Sequence, residues 1–150
     1  MTRVVLLDAG PLGLVSNPGY SPQNHACAQW LQAILSAGVR VIIPEIADYE
    51  IRRELLRAGR TRGIAKLDAL ANWLEYLSIT TPAMRRAAEL WAQARQKGRP
   101  AASDLALDAD MILAGQATTL GIRETMIATT NVGHLAAFAP ADLWQNISPR

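Results

Sequence analysis

Three acidic side chains stand at widely separated places in the sequence, each beside an apolar run. Asp8 directly follows Val4–Leu7, and Glu50 comes shortly after Val39–Ile43. Asp110 lies in a third apolar segment. Carboxylates directed at one crevice repel each other, and a divalent cation removes that repulsion. Mg²⁺ and Mn²⁺ prefer such oxygen ligands and can activate a water beside a phosphoryl group. The pattern predicts metal chemistry, with simple helix capping by the acids as the alternative.

The elements that would position these acids alternate between strands and helices. Short apolar runs predict strands buried on both faces, and Ser-Pro or Thr-Pro pairs with later glycines predict helix starts and ends. The predicted strands are Val4–Leu7, Val39–Ile43 and Met126–Thr130, with further short ones at Leu77–Thr80 and Ile147. The predicted helices are Ser21–Ser36, Glu45–Ala58, Arg62–Tyr76, Thr81–Lys97 and Ser103–Leu120, and Gly10–Ser21 is predicted to be a loop. This order predicts one α/β domain over residues 1–150, with a central, mostly parallel β-sheet flanked by helices.

The parallel sheet would bring the acids to one edge. Reactive crevices in such folds lie at the carboxyl ends of the strands, where the following helices begin. Thr129, Thr130 and Asn131 end a late strand and reach the same edge.

Helix geometry separates the acids of the segment after Ser103. Asp108 and Asp110 are about 160° apart on a regular helix, so they cannot both face one metal. Asp104 and Asp108 share a face, and Asp104 suits the first turn because of the helix dipole. Asp110 is therefore the candidate ligand, and Asp104 and Asp108 are candidates for contact through water.

Composition narrows the classes of protein. The single cysteine, Cys27, rules out an internal disulfide, and without a His/Cys ligand set a zinc site is disfavoured. No apolar run reaches the roughly 18 residues of a membrane span. The first apolar run is broken by Asp8 and Pro11 and makes a poor signal peptide, so we expect a cytoplasmic protein.

Four short segments carry a family resemblance. They are Leu7–Leu12, Pro44–Leu55, Asp108–Ala114 and Ala128–Asn131, in that order. Together they resemble the PIN domain, the fold of many metal-dependent ribonucleases, including the VapC toxins of toxin–antitoxin pairs. The resemblance extends from Val4 to about Phe138.

The resemblance implies roles for particular residues. Asp8, Glu50 and Asp110 match the acids that hold Mg²⁺ or Mn²⁺ and serve in catalysis, with Glu50 chosen over other acids of its helix by the family register. Thr130 and Asn131 match a polar pair that holds the acid cluster in place. The chain would then be an endoribonuclease, with RNA as substrate, an antitoxin as a protein partner and a homodimer as its assembly.

The sequence departs from the family pattern at two places. Ala9 and Gly10 stand where the family has Ser, Thr or Asn after its first Asp, and His134 stands where many members carry a fourth acid. His134 could act as a neutral ligand, contact a phosphate or be an ordinary surface histidine. The missing acid motivates the alternative of a catalytically impaired PIN-like protein that binds nucleic acid. A phosphatase is disfavoured, because it usually has a second Asp two residues after the first, where Gly10 stands.

The basic residues are mostly arginines. The chain has 15 Lys and Arg against 13 Asp and Glu, and its only lysines are Lys66 and Lys97. Arg52 and Arg53 directly follow Glu50 and its neighbour and, with Arg57, Arg60 and Arg62, form a basic stretch beside the predicted crevice. Arginine forks suit RNA phosphates. The alternative is a solvated helix face with salt bridges.

Overall fold

The computed structural model describes residues 3–97, 104–133 and 135–149, with the backbone alone described at 104–107. Five strands and six helices are assigned in this part of the chain, with two short 3-10 turns at Leu135–Ala137 and Trp144–Asn146. The elements are β1 Val4–Leu7, α1 Ala9–Ser16, α2 Pro22–Ser36, β2 Arg40–Pro44, α3 Glu45–Arg57, α4 Thr61–Trp73, β3 Glu75–Leu77, α5 Thr81–Gln96, α6 Asp104–Thr119, β4 Thr125–Thr129 and β5 Ala141–Leu143.

The sheet confirms the predicted α/β class. Its strand order is β3-β2-β1-β4-β5, and every pairing is parallel. Val5 of the central strand lies opposite Val41 of β2 and Met126 of β4. All carboxyl ends therefore share one edge, where Asp8 follows β1.

The central strand is buried on both faces, as its unbroken apolar run predicts. Val5 and Leu7 join the core beneath α1, α2 and α4. Val4 and Leu6 join a second core beneath α5 and α6. The side chains of β1 are at most 1% exposed, so this strand fixes Asp8 at the sheet edge.

The loop predicted for Gly10–Ser21 is wrong in its first half, because Ala9–Ser16 form a helix. Pro11 is tolerated because it lies in the first turn, where backbone N–H groups have no partner within the helix. Gly10 permits close packing, since a Cβ there would lie 2.3 Å from Oγ1 of Thr130. Gly10, Pro11 and Gly13 therefore contribute to the packing of α1 and do not interrupt this helix.

Three further predictions need correction at element ends. The strand predicted at Ile147 is absent from the described residues, and the last strand there is Ala141–Leu143. The strand predicted at Leu77–Thr80 lies earlier, at Glu75–Leu77, so helix α4 ends at Trp73. Ser21 caps α2 as predicted, whereas Thr80, one residue earlier than expected, caps α5. The predicted cap Ser103 lies outside the described residues.

Among the residues that the structure describes, no helix is both long enough and apolar enough to cross a membrane.

Gly115 marks the closest approach of α5 and α6. A Cβ at this position would lie 2.3 Å from the backbone oxygen of Ala83. An alanine in mid-helix would gain up to about 1 kcal/mol of helix propensity, but overpacking against a backbone atom costs about 1–3 kcal/mol or more. We therefore expect Gly115→Ala to lower the free energy of unfolding by about 1–3 kcal/mol in urea denaturation.

Thr118→Ala is the matched control for that measurement. Thr118 lies on the same helix and is exposed, so its substitution should change stability by no more than about 0.5 kcal/mol. Equal stability of Gly115→Ala and the wild type would show that the two helices can separate without cost.

Candidate active site

Asp8 is held in a fixed orientation at the end of β1. Its Oδ1 accepts a hydrogen bond from the backbone N–H of Ala9 at 2.7 Å, and its Oδ2 accepts one from the Thr129 hydroxyl at 2.7 Å. Burial raises the pKa of Asp8 above its usual value, and these two hydrogen bonds oppose that rise. Both carboxylate oxygens therefore have a donor, and the charge is partly desolvated.

Thr129 is the residue that orients Asp8, whereas the family resemblance implied that its neighbour Thr130 would do so. The Thr129 side chain is 1% exposed, and its Oγ1 accepts from the backbone N–H of Asn131 at 3.2 Å. The Thr129 hydroxyl lies closer to Oδ2 of Asp8, at 2.7 Å, than to the backbone oxygen of Asn131, at 3.1 Å, so Asp8 is the better placed acceptor. The pairing of β1 with β4 explains why Thr129 has this role. Ala128 pairs with Leu7, so Thr129 comes level with Asp8.

Glu50 lies in the second turn of α3 and is half-buried. Its pKa is raised to about 7, chiefly by burial and then by the charge of Asp8. Arg53 lowers the pKa of Glu50, and Asp110 raises it. The charges of Asp8 and Asp110 thus act on Glu50, which can hold or release a proton near neutral pH.

The acids of α6 separate as helix geometry predicts. Asp110 is half-buried and interacts with Glu50. Asp108 is exposed and lines a different groove, beside Trp91 of α5. The side chain of Asp104 lies outside the described residues. The structure thus brings Asp110 to the acid cluster and leaves Asp108 away from it.

The donor chemistry of the cluster suits a hard divalent cation. Asp8 and Glu50, both partly desolvated, and Asp110, which acts on Glu50, offer the oxygen ligands that Mg²⁺ and Mn²⁺ prefer. Within the part of the chain that the structure describes, no three Asp, Glu, His or Cys side chains are already arranged to hold a metal. The residues present therefore fit such an ion by their chemistry, although they do not form a preorganised cage.

The remaining polar residues of this edge take different positions. Thr130 and Asn131 are exposed, and the Thr130 side chain packs over Gly10. The backbone of Asn131 supports Thr129. His134, the position of the expected fourth acid, lies outside the described residues.

Comparison with solved structures identifies the fold. No protein-family model matches the chain, and no curated protein matches it. A chain of VapBC2 from Rickettsia felis, solved with a DNA fragment from its promoter, is similar with a TM-score of 0.72 and 16% identity, over 95% of this chain and 99% of that one. FitAcB from Neisseria gonorrhoeae gives a TM-score of 0.68 and 16% identity, over 95% and 99% of the two chains. VapC20 of Mycobacterium tuberculosis, a toxin that cleaves the sarcin–ricin loop, gives 0.64 and 15%, over 89% and 94%.

This chain has the VapC-like PIN fold. The identities are low, so the likeness concerns the fold, and the chemistry depends on the chain's own residues. In this VapC-like fold the half-buried acids Asp8, Glu50 and Asp110 come from β1, α3 and α6, which are distant in sequence.

The arginines after Glu50 differ in their partners within the VapC-like fold. Arg52 is bound between two carboxylates, with Nη2 at 3.0 Å from Asp48 Oδ1 and Nη1 at 2.8 Å from Asp68 Oδ1. Arg57 pairs with Glu54 on the exposed surface at 2.9 Å. Arg53 lies over the ring of Tyr49, 5.1 Å from its centroid, and acts on Glu50. Arg53 is thus the one of these three whose charge reaches the acid cluster.

Proposed function

We propose that this chain is a metal-dependent endoribonuclease of toxin type that hydrolyses RNA phosphodiester bonds. The observation that carries the proposal is the position of Glu50, whose pKa is raised to about 7 chiefly by burial and then by the charges of Asp8 and Asp110. Mutually repelling carboxylates at the carboxyl edge of a parallel sheet cost stability, and such strongly shifted groups in a crevice are characteristic of active sites. The fold shared with a toxin that cleaves the sarcin–ricin loop supports RNA as the substrate.

Asp8, Glu50 and Asp110 are the residues that would hold Mg²⁺ or Mn²⁺. When bound, such an ion supplies charge stabilisation at a phosphoryl oxygen and lowers the pKa of a water. Asp8 would present an oxygen in a fixed direction because Thr129 and Ala9 hold its carboxylate. Glu50 lies beside the other two acids and would accept the proton of the attacking water. In-line attack would leave a 5′-phosphate and a 3′-hydroxyl.

Metal titration beside RNA cleavage tests the proposal. Calorimetric titration of Mn²⁺ and Mg²⁺ into the purified chain should show binding, and a structured RNA should be cut until EDTA is added. The Asp110→Asn variant should lose both binding and cleavage. Equal cleavage by wild type and Asp110→Asn, or cleavage that persists in EDTA, would contradict the proposal.

Thr129→Val is expected to weaken metal binding and cleavage by about 10- to 100-fold, which is typical when a group that orients a ligand is removed. Valine has nearly the same shape, but it cannot donate to Oδ2 of Asp8. Thr129→Ser keeps the hydroxyl and should retain most of the activity. Metal affinity and initial cleavage rate are the two readouts, and an unchanged metal affinity in Thr129→Val would show that Asp8 needs no hydroxyl to orient it.

A nucleic-acid-binding protein without catalysis is the second candidate. Two observations favour it: the absent fourth acid at position 134 and the lack of a preorganised metal site among the described residues. Such a protein would shift labelled RNA in a gel, with a strong salt dependence, and would leave it intact in Mn²⁺.

The solved relatives also suggest partners. VapBC2 of R. felis and VapBC of Salmonella typhimurium were both solved with DNA. Both structures are VapBC complexes, in which the toxin is bound to its antitoxin, and by that likeness we infer an antitoxin partner for this chain. A homodimeric assembly and a cytoplasmic location remain predictions from the sequence. Co-expression of the adjacent open reading frame, followed by purification and mass measurement, would test the antitoxin.

A further inference from the structure

A groove lies between the later turns of α1, the helix that follows Asp8, and α3, the helix that carries Glu50. Helices α1 and α3 pack together where Gly13 meets Ile51, and a Cβ on Gly13 would lie 3.1 Å from Ile51 Cδ1. Beyond this contact the ends of both helices and the start of α4 enclose a groove of about 580 Å³. The rise of about 1.5 Å per residue puts the two ends of α1 about 12 Å apart. The groove is therefore bounded by the same two helices that position Asp8 and Glu50.

Three arginines line the far end of this groove: Arg57, Arg60 and Arg62. Arg57 is paired with Glu54. Arg60 and Arg62 are exposed, and neither side chain makes a hydrogen bond or ion pair with any residue in the described ranges. Two guanidinium groups without a counter-charge leave the groove end positive, which is the arrangement that phosphate groups require.

An exposed aromatic ring follows the loop segment that lines this groove, since Tyr20 comes directly after Gly19. The segment Asn17–Gly19 separates the groove from a second hollow of about 210 Å³, which Tyr20, His25 and Lys66 help to line. The Tyr20 ring is 81% exposed, and the His25 ring lies 5.7 Å from it at 47°. Few contacts within the protein account for this placement of the ring.

The backbone that carries Tyr20 is nevertheless firmly held. Asn17 Oδ1 accepts from the N–H of Gly19 at 2.8 Å, and Asn24 Nδ2 donates to the Gly19 oxygen at 3.1 Å. Lys66 Nζ donates to the backbone oxygen of Asn17 at 3.2 Å. The ring is thus presented on a fixed loop, and stacking on it would cost little conformational entropy.

We propose that this surface binds single-stranded RNA next to the cleavage site, with Arg60 and Arg62 contacting phosphates and the Tyr20 ring stacking on a base. The proposal rests on the proposed function, because the acid cluster supplies the reason for an RNA strand to lie here. An acidic peptide would also meet the two arginines, but it offers no flat ring to stack on Tyr20. Base stacking on an aromatic ring beside a cationic groove is the usual design of single-strand binding sites.

The test is RNA binding in EDTA, where metal-dependent cleavage cannot occur. A fluorescein-labelled oligouridylate of about 12 nucleotides is titrated with the full chain at several salt concentrations, and anisotropy gives the Kd. Tyr20→Ala should raise the Kd by about tenfold, whereas Tyr20→Phe keeps the ring and should bind like the wild type. Arg60→Gln combined with Arg62→Gln should reduce the slope of log affinity against log salt by about 1.4.

Arg123→Gln is the control for loss of charge. Arg123 is exposed and precedes β4, at the opposite edge of the sheet from the acids, so its removal should leave the slope unchanged. Tyr20 and the two groove arginines are exposed, and circular dichroism should show each variant folded. Wild-type binding by both Tyr20→Ala and the double arginine variant would overturn the proposal. Stronger binding of a labelled oligoglutamate than of the RNA would also overturn it and would assign the groove to a protein partner.

The two proposals fail differently. If the chain cleaves RNA in Mn²⁺ but the groove variants bind normally, this surface is not the RNA path and the nuclease stands. If the groove variants lose RNA binding and no cleavage is found under any metal, the RNA surface stands and the nuclease falls.

Discussion

Glu50→Gln is expected to lower Mn²⁺-dependent RNA cleavage by about 10²- to 10⁴-fold, the usual contribution of a general base. The substitution would remove a proposed metal ligand and the proposed proton acceptor in one step, while it keeps the shape of the side chain. Initial cleavage rates on a structured RNA measure the effect. Glu54→Gln is the matched control, because Glu54 lies one turn further along α3 and pairs with Arg57 on the surface.

The same variant should change how stability depends on pH in metal-free protein. The pKa of Glu50 is about 7 in the folded chain against an ordinary value of 4.5, so the folded state binds its proton more tightly. As the pH rises from about 4.5 to 7, the unfolded chain loses this proton first, and the free energy of unfolding falls. We expect the wild type to lose about 2 kcal/mol from this group, a value reduced from the full shift because Glu50 is partly exposed.

Urea denaturation at several pH values between 5 and 8 checks this prediction. Glu50→Gln should show a flatter dependence, although Asp8 also has a raised pKa and will keep part of the slope. Parallel curves for the wild type and Glu50→Gln would mean that Glu50 is ionised without penalty. In that case the acid cluster would not be as tightly coupled as its pKa implies.

The second large effect is expected at Asp48, whose substitution by alanine should lower the free energy of unfolding by about 2–4 kcal/mol. Asp48 is only 9% exposed, and it accepts hydrogen bonds from Arg52 and, at 2.7 Å, from the Tyr76 hydroxyl. These contacts bind α3 to β3, and the Asp48 carboxylate helps to raise the pKa of Tyr76. Removing Asp48 leaves a tyrosine hydroxyl and an arginine without their shared acceptor.

Asp68→Ala is the control for Asp48→Ala. Asp68 binds the same guanidinium, but its side chain is 55% exposed. Exposed ion pairs contribute about 0–1 kcal/mol, so its loss should be small. Equal destabilisation by the two variants would show that the Arg52 charge, and not the buried carboxylate, stabilises α3 against its neighbours. Thermal and urea unfolding both report the difference.

The strands could be predicted from the sequence because their apolar residues indicate burial. Val4–Leu7 is apolar at every position, and only a strand covered on both faces buries such a run. Helix α1 was missed because Gly10, Pro11 and Gly13 have poor intrinsic helix propensity, and only tertiary packing against Thr130 and Ile51 favours them there.

Of the candidate acids, Asp8 was proposed from its position directly after a strand, whereas Glu50 and Asp110 were proposed from the family resemblance, and the residues that support them were not predicted. Assigning the Asp8 contact to Thr129 and not to Thr130 requires the exact pairing of β1 with β4. Likewise, the partners of Arg52 include Asp68, which comes from another helix. Such choices between neighbouring residues depend on long-range register, which local sequence patterns do not contain.

The order of the strands in the sheet also determines when the fold can form during translation. The central strand β1 leaves the ribosome first, yet Val5 pairs with Met126, which follows 121 residues later. Contacts of such long sequence separation form slowly, and an apolar strand waiting for its partner is open to wrong pairing. Because Asp110 and Thr129 also come long after β1 in the sequence, the nascent chain cannot assemble the acid cluster before β4 has been translated. A ribonuclease of the proposed kind would be inactive until that point.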